Sequence, residues 1–184
     1  VTDGELSLSG YTMYRIDRPG GLKGGGVVLY VKNDIQSVEY HVETDYPEHV
    51  WSKLIDDTGR EFIVGVCYRT PTEHIFGKPN HVALRKLLTE VSSSNMLLMG
   101  DFNYPGLDWC SLQYHSTASE EAKLFLNCVE DCFLTQHVNI FTRHQAIQDL
   151  VFTIEPEMVD EVVSLGSLGT SDHNTMAWEM NMFS

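Results

Sequence analysis

No stretch of this 184-residue sequence approaches the roughly 20 consecutive apolar residues that a membrane-spanning helix requires. Its opening residues, VTDGELSLSG, are too polar for a secretion signal. Cysteine is scarce: Cys67, Cys110, Cys128 and Cys132 contain no CxxC pair, so the expectation is reduced thiols of an intracellular protein rather than a disulfide framework or a zinc site. Positive charge is almost missing from the second half. Residues 87–184 hold only Lys123 and Arg143 against 14 Asp and Glu, so that half carries −12 of the net −14. A general nucleic-acid coat, which needs clustered Lys and Arg, is thereby excluded. An enzyme whose acids converge on a divalent cation is not, because the cation inverts the local field. There is no internal repeat, low-complexity tract or linker, so residues 1–184 are expected to form one domain. A phosphate-binding GxxxxGK[ST] motif is absent too; the glycine run at 20–26 precedes a strand and reads as a hairpin.

What is present is strand periodicity, followed by strands mixed with two helices. Runs at 11–16, 26–32, 35–40, 50–55 and 62–68, separated by turn residues, predict short antiparallel strands. A helix is expected over 81–93, where Leu84, Leu87, Leu88 and Val91 share one face. It feeds a strand at 96–99. A second helix is expected over 119–133, burying Ala122, Phe125, Leu126, Val129 and Phe133, with Thr117 and Glu120 at capping-box spacing. Strands near 149–154, 159–164 and 175–180 complete an α/β (α+β) layered domain.

Three of these strands carry polar groups where an apolar run stops or begins: Cys67-Tyr68-Arg69-Thr70-Pro71, Gly100-Asp101-Phe102-Asn103 and Gly169-Thr170-Ser171-Asp172-His173-Asn174. Asp149 opens the run LVFTI, where a carboxylate is costly unless paired. Singly, each has a plain structural reading as a turn or cap. Together they supply carboxylates, an imidazole, an amide and a phenol, the parts that phosphodiester hydrolysis needs besides a hard cation.

The segments GDFN at 100–103 and SDH at 171–173, with Tyr68 and Asp149 in order, resemble the endonuclease/exonuclease/phosphatase superfamily, DNase I-like and apurinic-endonuclease-like. The wording GGGVVLYVK, VCYRTP, FLTQHV, DLVFT and LGTSDHNTM resembles more narrowly the endonuclease domain of non-LTR (LINE-type) retrotransposons. The resemblance implies a two-sheet β-sandwich flanked by helices and a Mg²⁺- or Mn²⁺-dependent, DNA-nicking phosphodiesterase that leaves a 3′-hydroxyl. It implies His173 at the scissile phosphate, Asp149 as its partner, Asp101 activating water or assisting the leaving oxygen, Asn103 orienting water or phosphate, and Tyr68 donating to a phosphate oxygen. Asp172, with Asp101, is implied beside the metal, and Thr142 and Ser171 are implied as supporting polar, substrate-side positions.

A DNA substrate, no membrane, a nuclear or cytoplasmic location and a reverse-transcriptase region in a longer parent chain follow from the same resemblance. The family's opening strands, one ending in asparagine and one in the glutamate that is its principal metal ligand, are expected to fall before residue 1; Glu5 lies in the following loop and is not assigned that role. A shortened domain that binds without cleaving is therefore the alternative function.

Overall fold

The computed structural model describes residues 2–21, 25–71, 74–75 and 78–181. Its centre is a six-stranded sheet in the order Thr135–Gln136, Asp149–Thr153, Met96–Asp101, Glu61–Tyr68, His49–Ile55, Gln36–Tyr40. Neighbours are antiparallel except Glu61–Tyr68 and Met96–Asp101, which run parallel. The parallel pair requires a crossover, and the intervening helix Asn80–Val91 supplies it.

Both faces of the sheet are covered, which explains the near-continuous apolar runs FIVGV and MLLM. Side chains alternate between faces, and register partners share a face. Phe152, Leu98, Gly65 and Trp51 form one row across four strands. Gly65 is fixed by that row, since a Cβ there would collide with the Trp51 ring. On this face Phe152 meets Phe125 of the helix Glu120–Asp131, whose inward side is Ala122, Phe125, Leu126 and Val129. The helix Asn80–Val91 buries Leu84, Leu87, Leu88 and Val91 beside it. Each such fully buried side chain contributes about 1.5–3 kcal/mol.

The opposite face is covered by an antiparallel hairpin, Tyr11–Ile16 with Val27–Lys32, which packs on the strands His49–Ile55 and Glu61–Tyr68 through Tyr14, Leu29 and Val31. A second hairpin, Val163–Ser167 with Asn174–Ala177, carries the SDH segment in its connection. The result is the layered α/β sandwich that the alternation predicts.

Three local expectations are corrected. The second helix is capped not by Thr117 but by Ser119, whose hydroxyl accepts the Ala122 N–H at 3.1 Å. The strand expected over 159–164 begins only at Val163; Val159 and Val162 are buried, and Val159 meets Met180 as an isolated bridge. Their burial in the core, rather than strand pairing, accounts for the apolar residues at 159–162. Phe133, expected on the buried helix face, is 84% exposed at φ 54, because the helix has ended at Asp131.

Candidate active site

The site is built at one end of the sheet, on the face away from the helices. Asp101 pairs in register with Tyr68 on one side and Asp149 on the other. All three lie an odd number of residues from the Phe152 row, so their side chains project to the opposite face. His173 completes the group from the second hairpin's connection. Its Nδ1 lies 2.8 Å from Asp149 Oδ2, and its Nε2 lies 3.8 Å from Asp101 Oδ2.

The GDFN segment is shaped by three requirements. Gly100 takes φ 152, and a Cβ there would collide with the Cys67 carbonyl oxygen of the neighbouring strand. Phe102 is fully buried, its ring 5.5 Å from those of Phe125 and Phe152, so the residues on either side of it turn out toward the site. Asn103 adopts φ 51, a left-handed conformation that asparagine tolerates, while its N–H donates to Asp101 Oδ1 at 3.0 Å. The Asn103 amide also donates to the Arg69 carbonyl at 2.8 Å.

Arg69 is the clamp of this loop, a role that the sequence did not reveal. Its N–H donates to the Asp101 carbonyl at 2.8 Å, its Nη1 donates to the Asn103 carbonyl at 3.1 Å, and its guanidinium stacks 4.0 Å from the centroid of the Tyr104 ring. An arginine after an apolar strand is the only local signal, and what it clamps lies 34 residues away.

Thr142 is fully buried, and its hydroxyl accepts the N–H groups of Gln148 and Asp149, each at 3.0 Å. The Thr142 carbonyl accepts the Asn174 N–H at 2.8 Å, so one residue ties the start of the Asp149 strand to the residue after His173. Ser171 is exposed and its hydroxyl accepts the His173 N–H at 3.1 Å, which shapes the approach of the imidazole. Asp172 is not brought into the group. Its carboxylate accepts Arg143 Nε at 2.8 Å, lies 3.8 Å from His144 Nε2, and is held below the usual carboxylate range mainly by the Arg143 hydrogen bond.

Burial, and next the neighbouring Asp149 charge, push the Asp101 carboxyl up to about 6, against the lowering influence of His173, the Asn103 N–H and Arg143. A carboxylate raised by burial beside a second carboxylate is a place where a divalent cation offsets unfavourable charge. Ligand atoms of Asp101, Asp149 and His173 lie within 4.8 Å of one another, so the residues fit such an ion. With His173 Nδ1 engaged by Asp149, the oxygens of Asp101 and Asp149 are the donors suited to a hard cation, which takes one or two carboxylates and keeps several waters.

Residues 62–177 match the family model described as endonuclease-reverse transcriptase. Among solved structures, the endonuclease domain of TRAS1, a telomere-specific non-LTR retrotransposon, is similar at TM-score 0.68 and 14% identity, covering 94% of this chain and 81% of that one. An endonuclease/exonuclease/phosphatase family protein from Leptotrichia buccalis is similar at TM-score 0.62 and 14% identity, with 97% and 74% covered. One from Bacteroides thetaiotaomicron gives TM-score 0.54 at 16% identity, with 91% and 73% covered. No curated protein matches the sequence. At these identities the structural likeness concerns the fold, and the family match over 62–177 carries the relationship. Among the described residues, no helix is long and apolar enough to cross a membrane.

Proposed function

Because this chain belongs to the endonuclease-reverse transcriptase family of the endonuclease/exonuclease/phosphatase superfamily, we propose that it is a divalent-metal-dependent phosphodiesterase that nicks DNA, of retrotransposon origin. The observation that carries the reading is the His173 imidazole, 2.8 Å from one carboxylate and 3.8 Å from another on the adjacent strand. Membership supports a nuclease- or phosphatase-type protein; the choice of DNA nicking, and of a parent chain that includes a reverse transcriptase, is our inference.

Each residue has a part. Asp149 accepts the Nδ1 proton of His173, which selects the tautomer whose Nε2 faces the Asp101 side and stabilises the imidazolium when it forms. The 3.8 Å between Nε2 and Asp101 is too long for a direct hydrogen bond and leaves His173 free to meet a phosphate oxygen. Asp101, raised to about 6 in the metal-free site by burial and by Asp149, is ionised at neutral pH and placed to accept a proton from water or to assist the leaving oxygen. The Asn103 amide and the Tyr68 phenol serve as neutral donors to water and to a phosphate oxygen, and Thr142 and Ser171 hold Asp149 and His173 in place. A Mg²⁺ or Mn²⁺ bound by Asp101 and Asp149 would polarise the phosphoryl oxygens.

A second reading, a domain that binds nucleic acid without cleaving it, is favoured by Asp172, whose carboxylate is committed to Arg143 and adds nothing to the cation site. Incubating the protein and Mg²⁺ with an internally labelled duplex and, separately, with a terminal phosphomonoester separates the possibilities. Our reading expects an internal break whose end a polymerase extends. Release of inorganic phosphate alone would make the protein a phosphatase, and an intact duplex would leave the binding reading.

A further inference from the structure

Glu48 is fully buried at the start of the strand His49–Ile55, and its carboxylate serves no catalytic role described above. Its carbonyl accepts the Tyr68 N–H at 2.9 Å, so it extends the row of Tyr68, Asp101 and Asp149 by one strand. Its Oε1 accepts Arg18 Nε at 3.1 Å and the Gly26 N–H at 2.8 Å, while Oε2 is buried without a hydrogen-bond partner. Arg18 reaches it from the connection of the first hairpin, keeps its side chain about one-fifth exposed, and lies 5.6 Å from the centroid of the Tyr68 ring. Gly25 and Gly26 fit around it. A Cβ on Gly25 would collide with the Arg18 guanidinium, and both glycines take left-handed φ, 78 and 83.

A buried carboxylate that holds one partly exposed arginine is poor value for stability, since desolvation offsets the attraction. What it does provide is a fixed guanidinium at the rim of the site. Nε is one of five donors on a planar fork suited to phosphate, and the bond to Glu48 sets the direction of the rest. Tyr68 stands one strand from Asp101, roughly 4.8 Å, and Arg18 lies beyond Tyr68. Arg18 is thereby set apart from Asp101, Asp149 and His173, on the side of Tyr68 where Glu48 holds it.

We propose that Arg18, positioned by Glu48 and seated against Gly25, Gly26 and Tyr68, binds a backbone phosphate flanking the scissile one, making the first hairpin part of the substrate surface. The inference rests on the phosphodiesterase reading and assigns a contact that reading does not contain. Glu48 is a positioning residue, acting through Arg18.

The test is binding of a short labelled duplex in EDTA, followed by anisotropy across a KCl series, beside metal-dependent cleavage by the same proteins. Replacing Arg18 with Met, or with Gln, which retains a donor for Glu48 and so protects the fold, should make the slope of log K against log salt shallower by about 0.9, the value of one phosphate contact. Arg18→Lys should restore the slope. Lys123→Met, on the exposed side of the second helix, removes a charge elsewhere and should leave the slope unchanged. Glu48→Gln should weaken binding several-fold at low salt while Arg18→Gln in that background adds little.

An unchanged slope in folded Arg18→Gln, with wild type binding and cutting the duplex, overturns the Arg18 assignment and leaves the nuclease reading standing. Wild type that neither binds nor cuts overturns both.

Discussion

Asp101 and Asp149 stand directly opposite each other on neighbouring antiparallel strands, two carboxylates on one face of a sheet with His173 hydrogen-bonded to one and 3.8 Å from the other. Like charges opposite one another destabilise a sheet. The fold keeps them there, and the consequences are measurable.

His173 and Asp149 act as one unit through their 2.8 Å hydrogen bond. His173→Ala should lower phosphodiester cleavage by roughly 10²–10⁴-fold. Asp149→Ala should cost a comparable factor, and the double variant little more than either, as for groups serving one step. Multiplicative losses in single-turnover cleavage would separate the two residues.

Asp101 titrates near 6 rather than 3.8, so its ionised form, the one able to accept a proton, forms only as pH rises through about 6. A cation bound beside Asp101 favours the ionised form, so the acidic limb of kcat/KM should lie below that pH at saturating Mg²⁺, move up toward it as Mg²⁺ is lowered, and vanish from the residual activity of Asp101→Asn. A limb that persists unchanged in the variant assigns it to another group.

The same shift makes Asp101 a stability liability. Its folded pKa lies above the unfolded value, so the folded state binds the proton more tightly, and stability falls as pH rises from about 4 to about 6. The difference corresponds to at most about 3 kcal/mol. In EDTA, Asp101→Asn, which retains the acceptor for the Asn103 N–H, should therefore be more stable than wild type at pH 7 and no more stable at pH 4. Urea melts at the two pH values check this; equal stabilisation at both would mean that charge is not its cause.

How much of this was legible in the sequence depends on where the cause lies. The four inner strands of the six-stranded sheet and the two helices follow from apolar spacing, because that spacing records burial, whereas Val163–Ser167 is exposed along its length and leaves no such mark. Asp101, Asn103, Tyr68, Asp149 and His173 stood out as polar residues at the ends of apolar runs, and the sheet register brings the carboxylates together. The clamp made by Arg69 and the pairing of Glu48 with Arg18 are not legible, because the partners lie 34 and 30 residues away in sequence, although Arg18 itself belongs to the basic cluster Arg15, Arg18, Lys23 and Lys32, whose sequence fits a DNA backbone contact and a solvated surface equally. The sequence favours Thr117 over Ser119 because several hydroxyls there compete for the cap, and only the backbone decides between them.

Gly100 offers a test of the backbone. Gly100→Ala places a Cβ against the Cys67 carbonyl and imposes an unfavourable φ, so unfolding free energy should drop by about 2 kcal/mol or more. Gly59→Ala, at φ 81 but with open space around it, should cost only the smaller backbone strain. Equal losses in thermal melts would place the cost in φ alone.

Thr142 orients Asp149 through two backbone N–H groups. Thr142→Val is similar in shape but takes the acceptor from those half-buried donors, about 1 kcal/mol or more of lost stability. Cleavage should fall along with it, and Thr142→Ser should recover both. Activity unchanged in a destabilised Thr142→Val protein would make the threonine purely structural.

The most direct measurement is conversion of supercoiled plasmid to open circles by the purified chain with Mg²⁺ or Mn²⁺, beside the same reaction in EDTA and beside His173→Ala. Nicking that requires the metal and is lost in His173→Ala is the predicted result. No nicking by a folded chain, or nicking that survives in either control, would contradict the account.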